Sequence, residues 1–96
     1  MKIHKVKIYE SYADAVLSGE KNFEIRLNDR GYQKGDRLKF ATVDSQGFYI
    51  SSHPLDRKEY DITYVHSGLG MKEEYVALAI QPVVKDGTHK QEKGDL

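Results

Sequence analysis

The chain has 96 residues, of which 39% are apolar and 31% are charged, and fifteen basic residues balance fifteen acidic ones. This length suits one domain near the low end of what a single hydrophobic core can stabilise, so we expect a single domain and not a two-domain enzyme. The balanced charge argues against strong non-specific affinity for duplex nucleic acid, which requires many phosphate contacts.

Membrane and secretion signals are not apparent in the sequence. No apolar run approaches the roughly 18 to 20 residues of a membrane span, and residues 1–10 alternate apolar and basic positions where a signal peptide needs an apolar core. Cysteine is absent, which removes disulfide scaffolds, thiol nucleophiles and cysteine-type zinc sites. The four histidines lack the close spacing of common metal motifs. We therefore expect a cytoplasmic protein with no membrane partner, metal or other cofactor.

A strand and a short helix are predicted at the start of the chain. Apolar residues alternate with basic ones across residues 3–9, the period of a strand. Ser11 is placed to cap a helix that continues to residue 18, and Gly19 ends it. The predicted apolar stripe of this helix comprises Tyr12, Ala15, Val16 and Leu17.

Residues 19–26, with the sequence GEKNFEIR, are the most informative segment of the chain. From Phe23 onwards apolar and polar residues alternate, which predicts a half-buried strand with Glu24 and Arg26 on one face. Lys21 follows the end of the helix and lies at the mouth of this strand, so it can turn towards the same cleft. The alternative is a surface ion-pair cluster contributing about 0 to 1 kcal/mol per pair.

Periodicity and turn residues also define the rest of the chain. Turns at 28–31 and 34–36 precede a predicted strand over 37–43, which a hairpin turn at 44–47 connects to a short strand over 48–51. An exposed loop is predicted at 53–57. A strand over 59–66 follows, with Tyr60, Ile62 and Tyr64 on one face, and a break at 67–70 separates it from a last strand over 74–81. The small residues Ala77 and Ala79 leave room for either a helix or a ligand to pack closely, and a helix is the preferred prediction. The polar residues 85–96 predict a disordered tail after a domain spanning 1–84.

Five or six short strands with one early helix predict an α+β fold that is mainly β. We expect a small β-barrel with one short helix inserted after the first strand, because closing the sheet hides edge strands that this chain could not otherwise cover.

The pattern G-x-K-x-x-E-x-R in residues 19–26, followed by Gly35 and Asp36, resembles the core motif of the ASCH family. This family is named for activating signal cointegrator homology, and its members have a PUA-like β-barrel. The resemblance covers residues 2–81 and is closest to a compact bacterial or phage branch whose function is not assigned. It implies a cleft between the early helix and the barrel, lined by Lys21, Glu24 and Arg26, with RNA or another nucleic acid as the ligand.

Some small bacterial members of that family are amidohydrolases acting on acylated cytidine, with a lysine, a threonine and a glutamate as catalytic groups. Lys21 matches that lysine, whereas Glu24 stands in the place of the threonine, and no residue aligns clearly with the catalytic glutamate. The resemblance therefore leaves Lys21 and Glu24 as candidate catalytic groups in an enzyme whose status stays open.

The leading expectation is a monomeric module that binds RNA or a nucleotide. Lys21 and Arg26 are expected to contact phosphate or a base acceptor edge, while Glu24 either accepts from an exocyclic amine or holds Arg26 in position. The candidate ligand-binding residues are Lys21, Glu24, Arg26, Arg30 and Tyr32, with Tyr32 and Tyr49 as candidates for base stacking. The open alternatives are the small amidohydrolase and a protein-interaction domain without catalysis.

Overall fold

The structure, a computed structural model, describes residues 1–84 as a five-stranded sheet curled into a half-barrel. Its elements in chain order are β1 (Ile3–Tyr9), α1 (Glu10–Ser18), β2 (Phe23–Leu27), β3 (Arg37–Val43), a 3-10 helix (Pro54–Arg57), β4 (Glu59–His66) and β5 (Tyr75–Pro82). The predicted class, mainly β with one helix after the first strand, is confirmed. The predicted tail lies outside the described residues.

The strands follow the order β1-β3-β4-β5-β2 across the sheet. Only the β1–β3 pair is parallel, and the other three pairs are antiparallel. The chain leaves β1, crosses through α1 to the far edge as β2, and returns to place β3 beside β1. The two edge strands are thus β1 and β2. Within residues 1–84 no backbone hydrogen bond joins them, so the barrel curls without closing.

The hydrophobic core fills the inside of the curl, because alternate residues of each strand point inward. In β1 the burial alternates strictly, with every second residue inside. Phe40 of β3 and Tyr60 of β4 meet edge to face, with ring centroids 5.8 Å apart. The fully buried large side chains are Phe40, Leu38, Leu55, Ile62, Leu78, Val6 and Thr42.

The N-cap residue of helix α1 lies two positions earlier than predicted, and the expected capping hydrogen bond is absent. Tyr9 is the N-cap residue and makes no side-chain capping bond, so the prediction that Ser11 caps the helix is wrong. The end of the helix is as predicted. Gly19 adopts a φ of 86°, and its N–H donates to the Val16 carbonyl, because glycine enters the left-handed region without a β-carbon clash.

Two predicted segments between β3 and β4 take other forms. Residues 48–51 make only an isolated bridge, from Tyr49 to the end of β3. Residues 54–57 form a 3-10 helix where an exposed loop was predicted. The reason is that Leu55 is fully buried, while His53 accepts a hydrogen bond from the Leu55 N–H and is itself buried.

β4 does not keep the single apolar face that its alternation predicts. Tyr60 and Ile62 are buried, but the register against β5 shifts after Ile62, so Tyr64 turns outward and is 60% exposed. Such a bulge adds one residue to a strand and rotates everything after it.

β2 buries its polar face and exposes its apolar one. Glu24 is buried, whereas Phe23, Ile25 and Leu27 lie on the outer surface of the sheet with 43%, 55% and 44% of their areas exposed. Helix α1 packs against β1, β3 and the 3-10 helix. The helix expected over Ala77 and Ala79 is therefore not α1, and both alanines stay partly exposed. None of the helices in residues 1–84 has the length and apolar character needed to cross a membrane.

Candidate functional site

A cleft of about 790 Å³ opens between the two edges of the sheet. Its walls come from β1, β2, the first turn of α1 and the turn that follows β2. This volume lies within the usual range for small-ligand pockets. The cleft lies where β1 and β2 would pair if the barrel were fully closed.

The floor of the cleft contains an ion-pair cluster centred on Glu24, which is only 4% exposed. Glu24 Oε2 accepts from Lys21 Nζ at 2.5 Å, and Oε1 accepts from Arg26 Nη1 at 2.8 Å. Lys21 Nζ also donates to the Phe23 carbonyl at 2.6 Å. Two cations thus compensate one buried carboxylate, as a buried charge requires, and the cluster carries a net positive charge.

Local structure explains why these three side chains meet. The left-handed turn at Gly19 reverses the chain, and the Lys21 N–H donates to the Ala15 carbonyl at 3.0 Å across the helix end. Lys21 therefore starts beside α1 and reaches forward to β2. Glu24 and Arg26 point inward together because they are two residues apart on one strand.

Arginine side chains span the gap between β1 and the β2 side of the cleft. Arg26 Nη2 donates to the Lys7 carbonyl at 3.2 Å, and Arg30 Nη1 donates to the Lys5 carbonyl at 2.6 Å. These carbonyls lie on the free edge of β1, where a further strand would normally pair. Guanidinium groups replace that strand, which is the physical reason that the sheet stops short of closure.

Aromatic rings flank the lysines of the cleft. Lys21 Nζ lies 4.7 Å from the Phe23 ring centroid and 5.4 Å from that of Tyr12, and both rings are about half exposed. On the β1 side, Lys7 Nζ lies 5.6 Å from the ring of Tyr49, which is 66% exposed.

Tyr32 has a different environment from the one expected of a stacking residue. It is 3% exposed, and its ring packs edge to face against His4 with centroids 4.8 Å apart. Tyr32 lines the inner wall of the cleft but offers no free ring face to a base. Tyr49 keeps such a face.

The structure brings Lys21, Glu24 and Arg26 together, as the strand pattern predicts, and places Arg30 at the rim of the same cleft. Sequence reasoning assigned Tyr12 to the apolar stripe of the helix and Phe23 to a half-buried strand, and it treated Lys7 as an ordinary strand residue. Phe23 is a sequence neighbour of Lys21 and Glu24, whereas the proximity of Lys7 to the cluster depends on the chain crossing from β1 to β2, which carries no local signal. The cation beside each ring becomes visible only in three dimensions.

A second polar cluster ties the start of β1 to the turn before β3. His4 Nε2 lies 2.9 Å from Asp36 Oδ2, and Asp36 also accepts from the Lys2 and Gln33 N–H groups. The hydrogen bond from His4 is the largest cause of a lowered pKa for the Asp36 carboxyl, and the two backbone donors add to it, while burial acts in the opposite direction. Across residues 1–84, no group of three or more potential ligands is placed to hold a metal ion.

A family model described as a domain of unknown function, DUF3850, matches residues 3–80. The chain belongs to this family. The match covers β1 through nearly all of β5, so the DUF3850 domain includes the whole half-barrel and every residue of the cleft named above.

One curated relative of this DUF3850 chain comes from Escherichia phage P2. It is an uncharacterized 12.9 kDa protein in the GpA 3′ region, 51% identical over 37 residues. The aligned stretch covers 38% of this chain and 34% of the phage protein, so the chain spans about a third of that relative's length.

Among solved structures, the crystal structure of hypothetical protein PH0355 superposes with a TM-score of 0.54. The two are 18% identical, and the superposition covers 86% of this DUF3850 chain and 100% of the other. At that identity the likeness concerns the fold alone.

Proposed function

We propose that this chain is a compact PUA-like ASCH domain that binds single-stranded RNA, or a nucleotide fragment of it, in the cleft between β1 and β2. The observation that carries the proposal is the buried Glu24 carboxylate, which holds Lys21 and Arg26 side by side on the floor of an open cleft. A buried carboxylate with two fixed cations is an arrangement that orients positive charge towards an anion.

Glu24 acts in this proposal by positioning the two cations. Both of its oxygens are engaged, by Lys21 and by Arg26, which favours this role over contact with an exocyclic amine. Lys21 has three N–H donors and Arg26 has five, so each keeps donors beyond those used inside the protein. Those donors suit phosphate oxygens or the acceptor edge of a base.

The rings beside Lys21 favour a single-stranded ligand. Tyr12 and Phe23 are 53% and 43% exposed at the mouth of the cleft, and a duplex would keep its bases away from them. Unpaired bases can stack on such rings, and stacking tolerates any base because each has a π-face. The net charge of zero agrees with a site that contacts only a few phosphates.

The ASCH assignment rests on the motif in residues 19–26 and on the position of its residues in the fold. Lys21, Glu24 and Arg26 line a cleft between β1 and β2 whose wall includes the first turn of the early helix, which is compatible with the cleft between helix and barrel that the family resemblance implies. The curled sheet is compatible with a PUA-like barrel that is open on one side.

The test is a titration of fluorescently labelled oligouridylate into the wild-type protein and into Lys21→Ala at two salt concentrations. We expect modest, salt-sensitive binding by the wild type and weaker binding by the variant. The slope of log affinity against log salt should fall by roughly one for each phosphate that the variant no longer neutralises.

Lys34→Ala is the matched control, because Lys34 is an exposed lysine on a turn outside this cleft. Folding of each variant is checked by circular dichroism. Equal affinity of wild type and Lys21→Ala, or an equal loss of affinity in both lysine variants, would remove the site from the proposal.

A further inference from the structure

A second lysine–aromatic pair, which the proposed site does not use, lies at the β1 side of the cleft. Lys7 lies on the outer face of β1, with its ammonium 5.6 Å from the ring centroid of Tyr49. Tyr49 follows the turn after β3, and Val43 pairs with it in an isolated bridge. Both side chains are exposed, and Lys7 lines the cleft.

A continuous series of contacts links this pair to the first one. Lys21 binds one oxygen of Glu24, Arg26 binds the other, and the same guanidinium reaches the Lys7 carbonyl. One carboxylate and one guanidinium therefore separate the Lys21 group from the backbone of Lys7. Lys21 and its rings lie on the β2 side of the cleft, Lys7 lies on the β1 side with Tyr49 beside it, and Arg26 connects the two sides.

The arrangement of rings and cations along the cleft suits a strand of nucleic acid better than a single nucleotide. A nucleotide chain alternates flat bases with anionic phosphates, and here rings lie at both ends of a series of three cations, Lys21, Arg26 and Lys7. A mononucleotide can use only one ring position and its adjacent cation. Tyr49 is 66% exposed, so its ring remains accessible to a stacked base.

We propose, on the basis of the function proposed above, that Lys7 and Tyr49 form a second nucleotide subsite. The ligand is then a single-stranded oligonucleotide of at least two residues that crosses the seam between β2 and β1. One base stacks at Tyr12 and Phe23, the next stacks on Tyr49, and the phosphate between them faces Arg26.

The experiment compares uridine 5′-monophosphate with oligouridylates of two, four and six nucleotides, by fluorescence competition and by NMR titration. For the wild type we expect the affinity to rise about fivefold or more when the second nucleotide is added, because one stacked base contributes at least that much. In Tyr49→Ala this gain should disappear, and in Tyr49→Phe it should persist, since the ring face is what matters.

Tyr64→Ala is the matched control, because Tyr64 is 60% exposed, close to the 66% of Tyr49, but its ring is paired with neither Lys7 nor Lys21. Lys21→Ala serves as the reference for the first subsite and should weaken the monophosphate and the oligonucleotides alike. Lys7→Gln should lower the affinity for the longer ligands and reduce the slope of their salt dependence by about one, the value of a single phosphate.

The outcomes separate the two proposals. Equal affinity for the monophosphate and the oligonucleotides, with Tyr49→Ala matching Tyr64→Ala, overturns the second subsite and leaves the cleft as a mononucleotide site. A wild-type protein that binds neither ligand overturns the proposed function itself, and the second subsite with it.

Discussion

At the scale of single residues, Glu24 determines what Lys21 can do. Lys21 Nζ donates to Glu24 and to the Phe23 carbonyl, so two of its three donors are engaged within the protein. A lysine held in this way is well suited to attract an anion. It is poorly suited to act as a nucleophile or base, because both roles require a free lone pair.

We therefore expect the wild-type protein to show little or no deacetylation of N4-acetylcytidine. Relative to the threonine of the amidohydrolases, Glu24 supplies an acceptor-only carboxylate in place of a hydroxyl that can also donate. The assay follows product formation by chromatography for wild type, Glu24→Thr and Lys21→Ala. Efficient turnover by the wild type that disappears in Lys21→Ala would contradict the proposed binding function and support an amidohydrolase instead.

Asp36 makes the stability of the protein depend on pH in the acidic range. Its pKa is lowered in the fold from the unfolded value of 3.8, chiefly by the hydrogen bond from His4. A depressed carboxyl pKa stabilises the fold above the unfolded pKa, and this contribution is lost as the pH falls through the folded pKa.

Urea unfolding at pH values from about 7 to about 2.5 would measure this contribution, with Asp36→Asn as the comparison. We expect the wild type to be the more stable protein at neutral pH and the difference between the two to shrink below about pH 4. A difference that stays constant down to the lowest pH would contradict the assignment.

At the scale of elements, β2 illustrates what alternation can and cannot predict. The period of two correctly predicts a strand with Glu24 and Arg26 on one face. It does not say which face is inside, and here the charged one is, because β2 is an edge strand whose inner face borders a cleft instead of the core. Information on which face of β2 points inward would have to come from the strand order of the sheet, which is a non-local property.

Matched isoleucine substitutions test this orientation. Ile25 is 55% exposed on β2, and Ile62 is 1% exposed on β4. Ile62→Ala should lower the free energy of unfolding by about 2 to 5 kcal/mol, because it leaves a core cavity, and Ile25→Ala should lower it by less than about 1 kcal/mol. Denaturant titration compares the two, and similar losses of stability would mean that the outer face of β2 is covered.

At the scale of the whole molecule, the fold class follows from features that are visible in the sequence. Five or six alternating segments and one glycine-terminated helix predict a small, mainly β barrel, and the observed sheet curls into a half-barrel that does not close. The gap between β1 and β2 could not be predicted, since the partners of Arg26 and Arg30, which span it, are backbone carbonyls. A carbonyl belongs to every residue, so the sequence at Lys5 and Lys7 gives no sign of these contacts.

The gap between the unpaired edges of β1 and β2 allows the width of the cleft to change. Within residues 1–84 the two sheet edges are joined by arginine side chains, so they can move apart without breaking any strand pairing. Releasing both hydrogen bonds costs about 2 kcal/mol, at about 1 kcal/mol for each. That energy corresponds to roughly a 30-fold reduction in affinity. In the proposed function, we therefore expect the cleft to widen for a bulky ligand at a moderate loss of affinity instead of excluding it.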